Sequence, residues 1–219
     1  MIRYYIADNH FFHAGMNTRM DKRGFSSVEE MNEYMINQWN SKVRRNDEVI
    51  ILGDLSIGKA EETNEILKRL NGRLFMIRGN HDKWIDQSGA NLKRFQWIKD
   101  YAELNDNGRK IVCSHYPIVC YNGQFRRDDK GNPKTYMLFG HIHRTMDNVG
   151  VEKYKEFVRN FPRISRGSDV PTPAPINMIN CFCMYSDYVP LTLDEWIELD
   201  KTEIALKSVQ EYWRYDGRK

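Results

Sequence analysis

Short apolar segments alternate with helix-like segments through the first half of the chain, and polar side chains follow the ends of the apolar segments. This alternation is typical of an α/β domain built from layered sheets and helices. In such sheets, ligands bind in the crevice beyond the carboxyl ends of the strands. We therefore expect the polar side chains at these ends to share one edge of the fold and to form a site there.

The apolar pattern predicts six strands, at residues 2–7, 48–53, 74–78, 109–114, 136–140 and 176–184. Helical spacing predicts helices over residues 60–70 and 153–161, and two further helices that follow capping boxes at Ser27 and Thr192. Cys181 and Cys183 alternate along the last predicted strand, so their thiols would face the same side.

The length and composition limit which classes of protein the chain can belong to. With 219 residues and a net charge of +3, we expect one domain spanning residues 1–219 and no surface dedicated to nucleic acid. No apolar run is long enough to span a bilayer, so no membrane partner is predicted. The four cysteines do not form a disulfide scaffold and the chain starts directly with a strand-like run, which favours a cytoplasmic location. The sequence predicts no oligomeric state.

The histidines carry the functional signal. All six lie just after predicted strands: His10, His13, His81, His115, His141 and His143. Asp8, Asp54 and Asn80 occupy equivalent positions at strand ends. Imidazole nitrogens together with carboxylate oxygens suit divalent transition metals such as Mn, Fe, Zn or Ni. One histidine after a strand is commonly structural or solvated, but all six in such positions indicate a metal site.

The spacing of four of these residues has a geometric consequence. In the pairs Asp8-x-His10 and His141-x-His143, residues i and i+2 of an extended backbone point the same way. Each pair could therefore present two ligands to a site. Glycines stand directly before three of the polar residues, where they would let the chain turn sharply at a strand end.

The ordered motifs resemble those of the calcineurin-like metallophosphoesterase superfamily, in particular its small bacterial and phage-type phosphoesterases. The resemblance runs from Asp8 to His143 as Asp-x-His, Gly-Asp, Gly-Asn-His-Asp, a single His and Gly-His-x-His. The later strand at Asn180 and the segment 190–195 look like the closing strand and helix of that family. The resemblance implies an α/β fold: a four-layer α/β/β/α sandwich of two mixed sheets flanked by helices.

The resemblance also implies a role for each matching residue. The first of two divalent metal ions would be held by Asp8, His10 and His143, the second by Asn80, His115 and His141, and Asp54 would bridge them. His81 would act on the substrate without binding metal, so that His81 and Asp54 are the predicted catalytic residues. Manganese is the first choice of metal, with Fe, Zn or Ni as alternatives.

The motif that contains Asp54 narrows the activity, and three neighbouring residues have less defined roles. The Gly-Asp motif continues as Gly53-Asp54-Leu55-Ser56-Ile57-Gly58, without the Asp-Arg-Gly of the family's serine/threonine protein phosphatases, which disfavours that activity. His13 is either a contact to phosphate or to a metal ligand, or a structural residue. Asp82 is expected to hold the backbone of its motif. Arg78 either meets phosphate or forms a surface ion pair.

These residues predict a metal-dependent phosphoester hydrolase that acts on small phosphodiesters or phosphomonoesters. Two cations about 3.5–4 Å apart would activate a hydroxide for in-line attack. A nuclease of the same fold is the alternative within this chemistry, but the sequence shows no long basic stripe with interleaved aromatic residues. A non-catalytic metal-binding scaffold is disfavoured because no motif residue is missing. Substrate specificity would come from loops 116–134 and 144–175.

Overall fold

The computed structural model describes residues 1–164 and 169–215, with side chains described up to residue 211. Its strands are β1 (Arg3–Ile6), β2 (Glu48–Ile51), β3 (Arg73–Ile77), β4 (Phe95–Lys99), β5 (Tyr101–Asp106), β6 (Arg109–Ser114), β7 (Thr135–Phe139), β8 (Arg163–Ile164), β9 (Pro171–Thr172) and β10 (Met178–Asn180). Its α-helices are α1 (Val28–Lys42), α2 (Ala60–Arg69), α3 (Asp147–Asn160), α4 (Leu193–Lys201) and α5 (Ile204–Tyr215). A π-helix, Met16–Met20, follows β1.

Eight of the strands form two four-stranded sheets. The first has the order β1-β2-β3-β4 and is parallel throughout. The second has the order β10-β7-β6-β5, in which only β5 and β6 are antiparallel. The predicted α/β sandwich with two sheets and helices is confirmed, although the first sheet is parallel rather than mixed. The strands β8 and β9 form a separate antiparallel pair.

The two sheets meet along the edge of β1. The backbone N–H of Ala7 donates to the carbonyl of Cys181 at 2.9 Å, and the N–H of Cys183 donates back to Ala7 at 3.0 Å. Farther along, Tyr5 exchanges backbone hydrogen bonds with Leu191. These bonds bring the carboxyl end of β1 beside that of β10, so loops from both sheets reach one edge.

Alternating side chains of the second sheet fill two hydrophobic clusters. On β6, Ile111 and Cys113 belong to the larger cluster, which also contains buried residues of the first sheet and of α1 and α2. Val112 belongs to the smaller cluster, together with Met137 and with Val158 of α3. Both faces of this sheet are therefore covered, as strands buried on two sides require.

Several element boundaries differ from the prediction. The strands β4 and β5 were not predicted, and their side chains are only partly buried, which weakens the apolar signal. The last strand is shorter than predicted because the chain turns into a 3₁₀-helix at Cys183–Ser186. The final helix is divided by Glu203, whose φ of +59° ends one helix before the next begins. Ser27 and Thr192 both cap helices as predicted, but of the two only Thr192 forms the reciprocal capping box, whereas the carboxylate of Glu30 accepts from Ser26.

No helix within residues 1–164 and 169–215 combines the length and the apolar character that crossing a membrane requires.

Trp196 of α4 links this helix to the first sheet and provides a test of the packing. Its indole N–H donates to the carbonyl of Tyr5 at 2.9 Å, and the residue is buried. Replacing Trp196 by Ala should lower the free energy of unfolding by about 3–5 kcal/mol, because it removes a large buried side chain. Trp196→Phe keeps much of the volume and should lose only about 1 kcal/mol with the hydrogen bond. Urea unfolding of both variants measures the difference, and equal losses would contradict this account.

Candidate metal centre

The structure brings the predicted ligands together at the carboxyl ends of β1, β2, β3, β6 and β7. In one group, ligand atoms of Asp8, His10 and His143 all lie within 4.8 Å of one another, and a second such group consists of Asp54, His115 and His141. Asn80 lies beside the second group, since its Oδ1 is 3.1 Å from Nε2 of His115. The first group has the three residues predicted for the first ion, whereas the second has the shared residue Asp54 together with His115 and His141, and Asn80 only lies beside it.

Asp54 lies between the groups. Its Oδ2 is 3.4 Å from Nε2 of His10 and 3.4 Å from Nε2 of His115. Its Oδ1 accepts a hydrogen bond of 2.8 Å from the backbone N–H of His81. Burial opposes the ionised form of this carboxyl, but the hydrogen bonds and charge of His115, together with that N–H, outweigh burial and hold the pKa of Asp54 below its ordinary value.

The ligand-bearing backbone is not extended, which corrects the geometric argument from the i, i+2 spacing. Five of the candidate ligands have positive φ angles: Asp8 (58°), His10 (51°), Asp54 (53°), His141 (71°) and His143 (43°). Such left-handed conformations are uncommon outside glycine and cost on the order of 1–3 kcal/mol each. They cluster at functional sites. Left-handed turns, and not strand alternation, bring the ligands together here.

Two glycines make room for these turns. Gly53 itself has a φ of +94°, and a Cβ there would lie 2.3 Å from Nδ1 of His115. Gly79 has no positive φ, but a Cβ there would meet Oδ1 of Asp54 at 2.2 Å. The chain turns here as predicted, since the N–H of Asp82 donates to the carbonyl of Gly79, and glycine is required at this position for the close approach of Asp54.

Asp82 fixes the two loops that carry Asp54 and Asn80. Its buried carboxylate accepts hydrogen bonds from the backbone N–H groups of Gly79, Asp54, Leu55 and Ser56 and from the indole of Trp84. Burial and the neighbouring charge of Asp54 raise the pKa of Asp82 to about 6. The expectation that Asp82 holds the backbone of its motif is confirmed.

The hydrogen bonds at Nδ1 set the tautomers of two histidines. Nδ1 of His115 lies 2.9 Å from the carbonyl oxygen of Leu52, and Nδ1 of His143 lies 2.9 Å from Oδ1 of Asp21. A carbonyl or carboxylate oxygen can only accept, so each Nδ1 carries the hydrogen. In the neutral rings, Nε2 then presents its lone pair to the site, as metal ligation requires.

This arrangement fits divalent cations. Nε2 of His115 faces two further electron-rich atoms, Oδ1 of Asn80 at 3.1 Å and Oδ2 of Asp54 at 3.4 Å. Nε2 of His10 and Nε2 of His143 are 3.1 Å apart. Lone pairs at such distances repel one another unless a proton or a cation lies among them. The donor set, with imidazoles, carboxylates and one amide oxygen, is suited to transition metals.

The carboxylates shift the pKa values of the imidazoles. Burial disfavours protonation of His115, but Asp54 and Asp8 outweigh it and raise its pKa to about 9. The pKa of His143 is raised in the same way, against the effect of burial, by Asp8 and Asp21. Burial and the neighbouring cationic groups lower the pKa of His10 well below its ordinary value. Protons on His115 and His143 would therefore compete with metal ions.

One side of the site is open to solvent. Asn80, His81, His141 and Tyr116 have exposed side chains there, whereas the other candidate ligands are buried. The ring of Tyr116 lies 4.5 Å from that of His141, so the start of loop 116–134 borders the site. Among the described residues, this is the side on which candidate ligands are exposed.

His13 and Arg78 differ in their distance from the chemistry. Nδ1 of His13 accepts the backbone N–H of Met16 at 3.3 Å, while its half-buried ring lies 6.3 Å from that of His81. The structural alternative for His13 thus has a specific contact, and the ring still borders the site. Arg78 forms an ion pair with Asp86, and a surface ion pair is the second of the two roles predicted for it.

Sequence reasoning did not single out Asp21 and Arg23. Both are buried, and they contact the first ligand group through His143 and through the carbonyl oxygens of Asp8 and Asn9. The local sequence Asp-Lys-Arg resembles a solvated surface segment, so no signal in it indicated burial. Residues 165–168 of the predicted loop 144–175 lie outside the described residues.

A family model described as calcineurin-like phosphoesterase matches residues 4–167. The chain belongs to this family. Its members are metal-dependent phosphoesterases that typically bind two divalent metals, and the two groups of ligand atoms fit such ions. Membership of this family shows that the class of chemistry is phosphoester hydrolysis.

Similar proteins occur in a methanogen and in phages. An uncharacterized protein of Methanocaldococcus jannaschii is 36% identical over 142 residues, which are 64% of this chain and 68% of that protein. The gene 66 protein of Mycobacterium phage L5 is 28% identical over 67% of this chain and 86% of its own length. A protein of unknown function from Aquifex aeolicus has a similar fold, with a TM-score of 0.61 at 23% identity over 90% of this chain and 98% of its own.

Metal affinity should depend on pH because a cation must displace the proton from His115. The pKa of this ring is about 9 in the metal-free protein. Below that pH, affinity should rise by about tenfold per pH unit for each proton displaced, and it should level off above it. Calorimetry of Mn²⁺ binding in buffers of different ionisation enthalpy measures both the affinity and the protons released. Binding that releases no proton near pH 7 would contradict the prediction.

Proposed function

We propose that the protein hydrolyses phosphoester bonds of small phosphodiesters or phosphomonoesters with a centre of two divalent cations. The observation that supports it most directly is the position of Asp54. One oxygen of this carboxylate is 3.4 Å from a nitrogen of each ligand group, His10 on one side and His115 on the other. A carboxylate so placed can contact a cation in each group.

The proposed ligands of the first cation are Asp8, His10 and His143, and those of the second are Asn80, His115 and His141, with Asp54 shared by both. Manganese is the proposed metal, because mixed nitrogen and oxygen ligation accommodates it. When bound, two such cations supply Lewis acidity that lowers the pKa of water and offsets the charge of the phosphoryl oxygens.

His81 is the proposed proton donor to the leaving oxygen. Its side chain is exposed on the open side of the site, 5.2 Å from the ring of His10 between centroids. The hydrogen bond from its backbone N–H to Oδ1 of Asp54 fixes the position of the main chain from which the imidazole projects. Because Asn80 provides the neighbouring ligand atom, the imidazole of His81 is free to meet the substrate.

Two further properties belong to this proposal. We treat residues 1–219 as a single phosphoesterase domain, and the cytoplasmic location expected from the sequence stays a prediction.

A substrate panel tests the class of ester. Aryl monoesters and diesters, cyclic nucleotides, nucleotides and single-stranded DNA should be assayed with Mn²⁺, Fe²⁺, Zn²⁺ and Ni²⁺ in turn. Turnover of small esters with little cleavage of DNA would support the proposal. Preferred cleavage of DNA would favour the nuclease alternative.

Replacing Asp54 by Asn should remove the charge that two cations share. The amide oxygen can still accept the N–H of His81, so the fold should survive. Loss of an outer partner of a metal site commonly costs 10–100-fold in affinity or activity, and loss of the shared ligand should cost more than about 100-fold in turnover. Elemental analysis of the reconstituted wild-type protein should give close to two ions per chain.

Asp86→Asn is a matched control for this variant. It removes a carboxylate from an exposed residue in the same region, which forms an ion pair with Arg78. Turnover and metal content should match the wild type. An Asp54→Asn variant that kept about a tenth of wild-type turnover at saturating metal, or a wild-type protein that never bound more than one ion, would overturn the shared-ligand proposal.

Replacing His81 by Ala should discriminate between leaving groups. An alkoxide leaves poorly without a proton, whereas para-nitrophenolate leaves readily as a stabilised anion. The variant should therefore lose about 10²–10⁴-fold on alkyl esters, the usual range for general acid catalysis, and much less on para-nitrophenyl esters. Its metal content should stay unchanged.

His141→Ala provides the comparison, because removing a proposed ligand should depress both kinds of ester together. Equal losses for both leaving groups in the His81 variant, at full metal content, would make His81 a phosphate-binding residue. A missing ion in that variant would show that the assignment of ligands is wrong.

A further inference from the structure

A buried ion pair lies behind the first ligand group. Asp21 and Arg23 follow the π-helix Met16–Met20, and their side chains are 5% and 0% exposed. Nε and Nη2 of Arg23 donate to Oδ2 of Asp21 at 3.2 and 3.0 Å. The pair lies at the proposed centre but supplies no proposed ligand, so its burial needs another explanation.

The guanidinium of Arg23 fixes the turn that carries two candidate ligands. Its Nη1 donates to the carbonyl oxygen of Asn9 at 2.6 Å, and its Nη2 donates to that of Asp8 at 3.0 Å. Asp8 and His10 both have left-handed φ angles. Carbonyl groups turned out of a regular strand need donors when they are buried, and Arg23 provides them.

The carboxylate of Asp21 fixes the third member of the group. Oδ1 of Asp21 accepts from Nδ1 of His143 at 2.9 Å, while Oδ2 is occupied by Arg23. The carbonyl oxygen of His143 is held separately, by Asn180 and by Tyr185, each at 2.9 Å. The main chain of His143 is thus fixed by one set of contacts, and the direction and tautomer of its ring are fixed by Asp21.

We propose that Asp21 and Arg23 are positioning residues that hold Asp8, His10 and His143 in the geometry and tautomer that bind the first cation. This inference rests on the proposed function, since it concerns the same centre. Because the two charges offset each other, the pair orients three ligands without adding net charge to the site. The second group has a different arrangement, in which the backbone carbonyl of Leu52 holds His115.

The variant Asp21→Asn is the most direct test because it preserves the shape of the side chain. Its amide oxygen should turn towards the guanidinium of Arg23, and its NH₂ group should then donate to Nδ1 of His143. That hydrogen bond forces the ring proton onto Nε2, the nitrogen that faces the site. In this tautomer the lone pair of the neutral ring lies on Nδ1, so Nε2 has none to offer a cation in the site.

Two measurements follow from this change. Calorimetric titration of the apoprotein with Mn²⁺ should show one of two sites weakened by about 10–100-fold, the usual effect of losing an outer hydrogen-bond partner, and the other unchanged. Nitrogen-15 NMR of the metal-free protein, at a pH where the ring is neutral, should show the proton of His143 on Nδ1 in the wild type and on Nε2 in the variant.

Asp194→Asn is the matched control. Asp194 is also an aspartate paired with an arginine, Arg109, but it is exposed and contacts none of the candidate ligands. The control should leave both affinities and the tautomer of His143 unchanged. A structural role for Asp21 alone would lower the unfolding temperature without moving the tautomer.

The outcomes separate the two proposals. If the wild type binds two ions and Asp21→Asn binds both with unchanged affinity, or keeps the proton on Nδ1, the positioning role is wrong and the proposed centre stands. If the wild type binds no ion in either site, the proposed function fails first and the positioning role fails with it.

A second variant keeps the test valid if Asp21→Asn leaves too little folded protein. That result would follow from a buried guanidinium without its partner, which is strongly destabilising. Asp21→Leu combined with Arg23→Met removes both charges together, and neither side chain can hold Nδ1 of His143 or the carbonyl groups of the turn. The double variant should fold and should show the same selective weakening of one site. If the double variant bound both Mn²⁺ ions with wild-type affinity, the positioning role would be wrong.

Discussion

The burial of charged and polar side chains between two sheets is the constraint on which this structure depends. Asp8, His10, Asp54, His115 and His143 are almost fully removed from water. Burying such groups without partners costs several kcal/mol each. The chain offsets this cost with fixed donors and acceptors, such as the backbone N–H of His141 for Asp8 at 2.9 Å. Cations in the two groups would offset the remaining repulsion among lone pairs.

The backbone of the site is held by charges that do not face the substrate. Asp82 accepts hydrogen bonds from N–H groups of the loops after β2 and β3, and Arg23 donates to carbonyl groups of the loop after β1. Left-handed residues persist only where the surroundings over-determine them. One anion for the buried N–H groups and one cation for the buried carbonyls together provide that support, so strain at the ligands is balanced by polar contacts behind them.

The sequence predicted which side chains come together at the sheet edge better than it predicted the backbone that carries them. Positions such as His115 and His143 follow apolar strands that are buried on both faces, and this pattern can be recognised in the amino-acid sequence alone. The left-handed turns at Asp8 and His141 were not predicted. A positive φ is common for glycine, but an aspartate or a histidine in a sequence does not indicate one. Asp21 and Arg23 were missed because charged neighbours in sequence usually face solvent, and only tertiary contacts show them to be buried.

The two ligand groups depend on different parts of the fold. His115 takes its tautomer from the carbonyl of Leu52, which lies just beyond β2 and is fixed wherever the first sheet is formed. His143 takes its tautomer from Asp21, which lies in the connection between β1 and α1 and has to be packed there by Arg23. A carbonyl cannot be changed by substitution, whereas a carboxylate can. The tautomer of His143 is therefore the one that a side-chain substitution outside the ligand set can alter, and the segment 16–23 is where such changes would act.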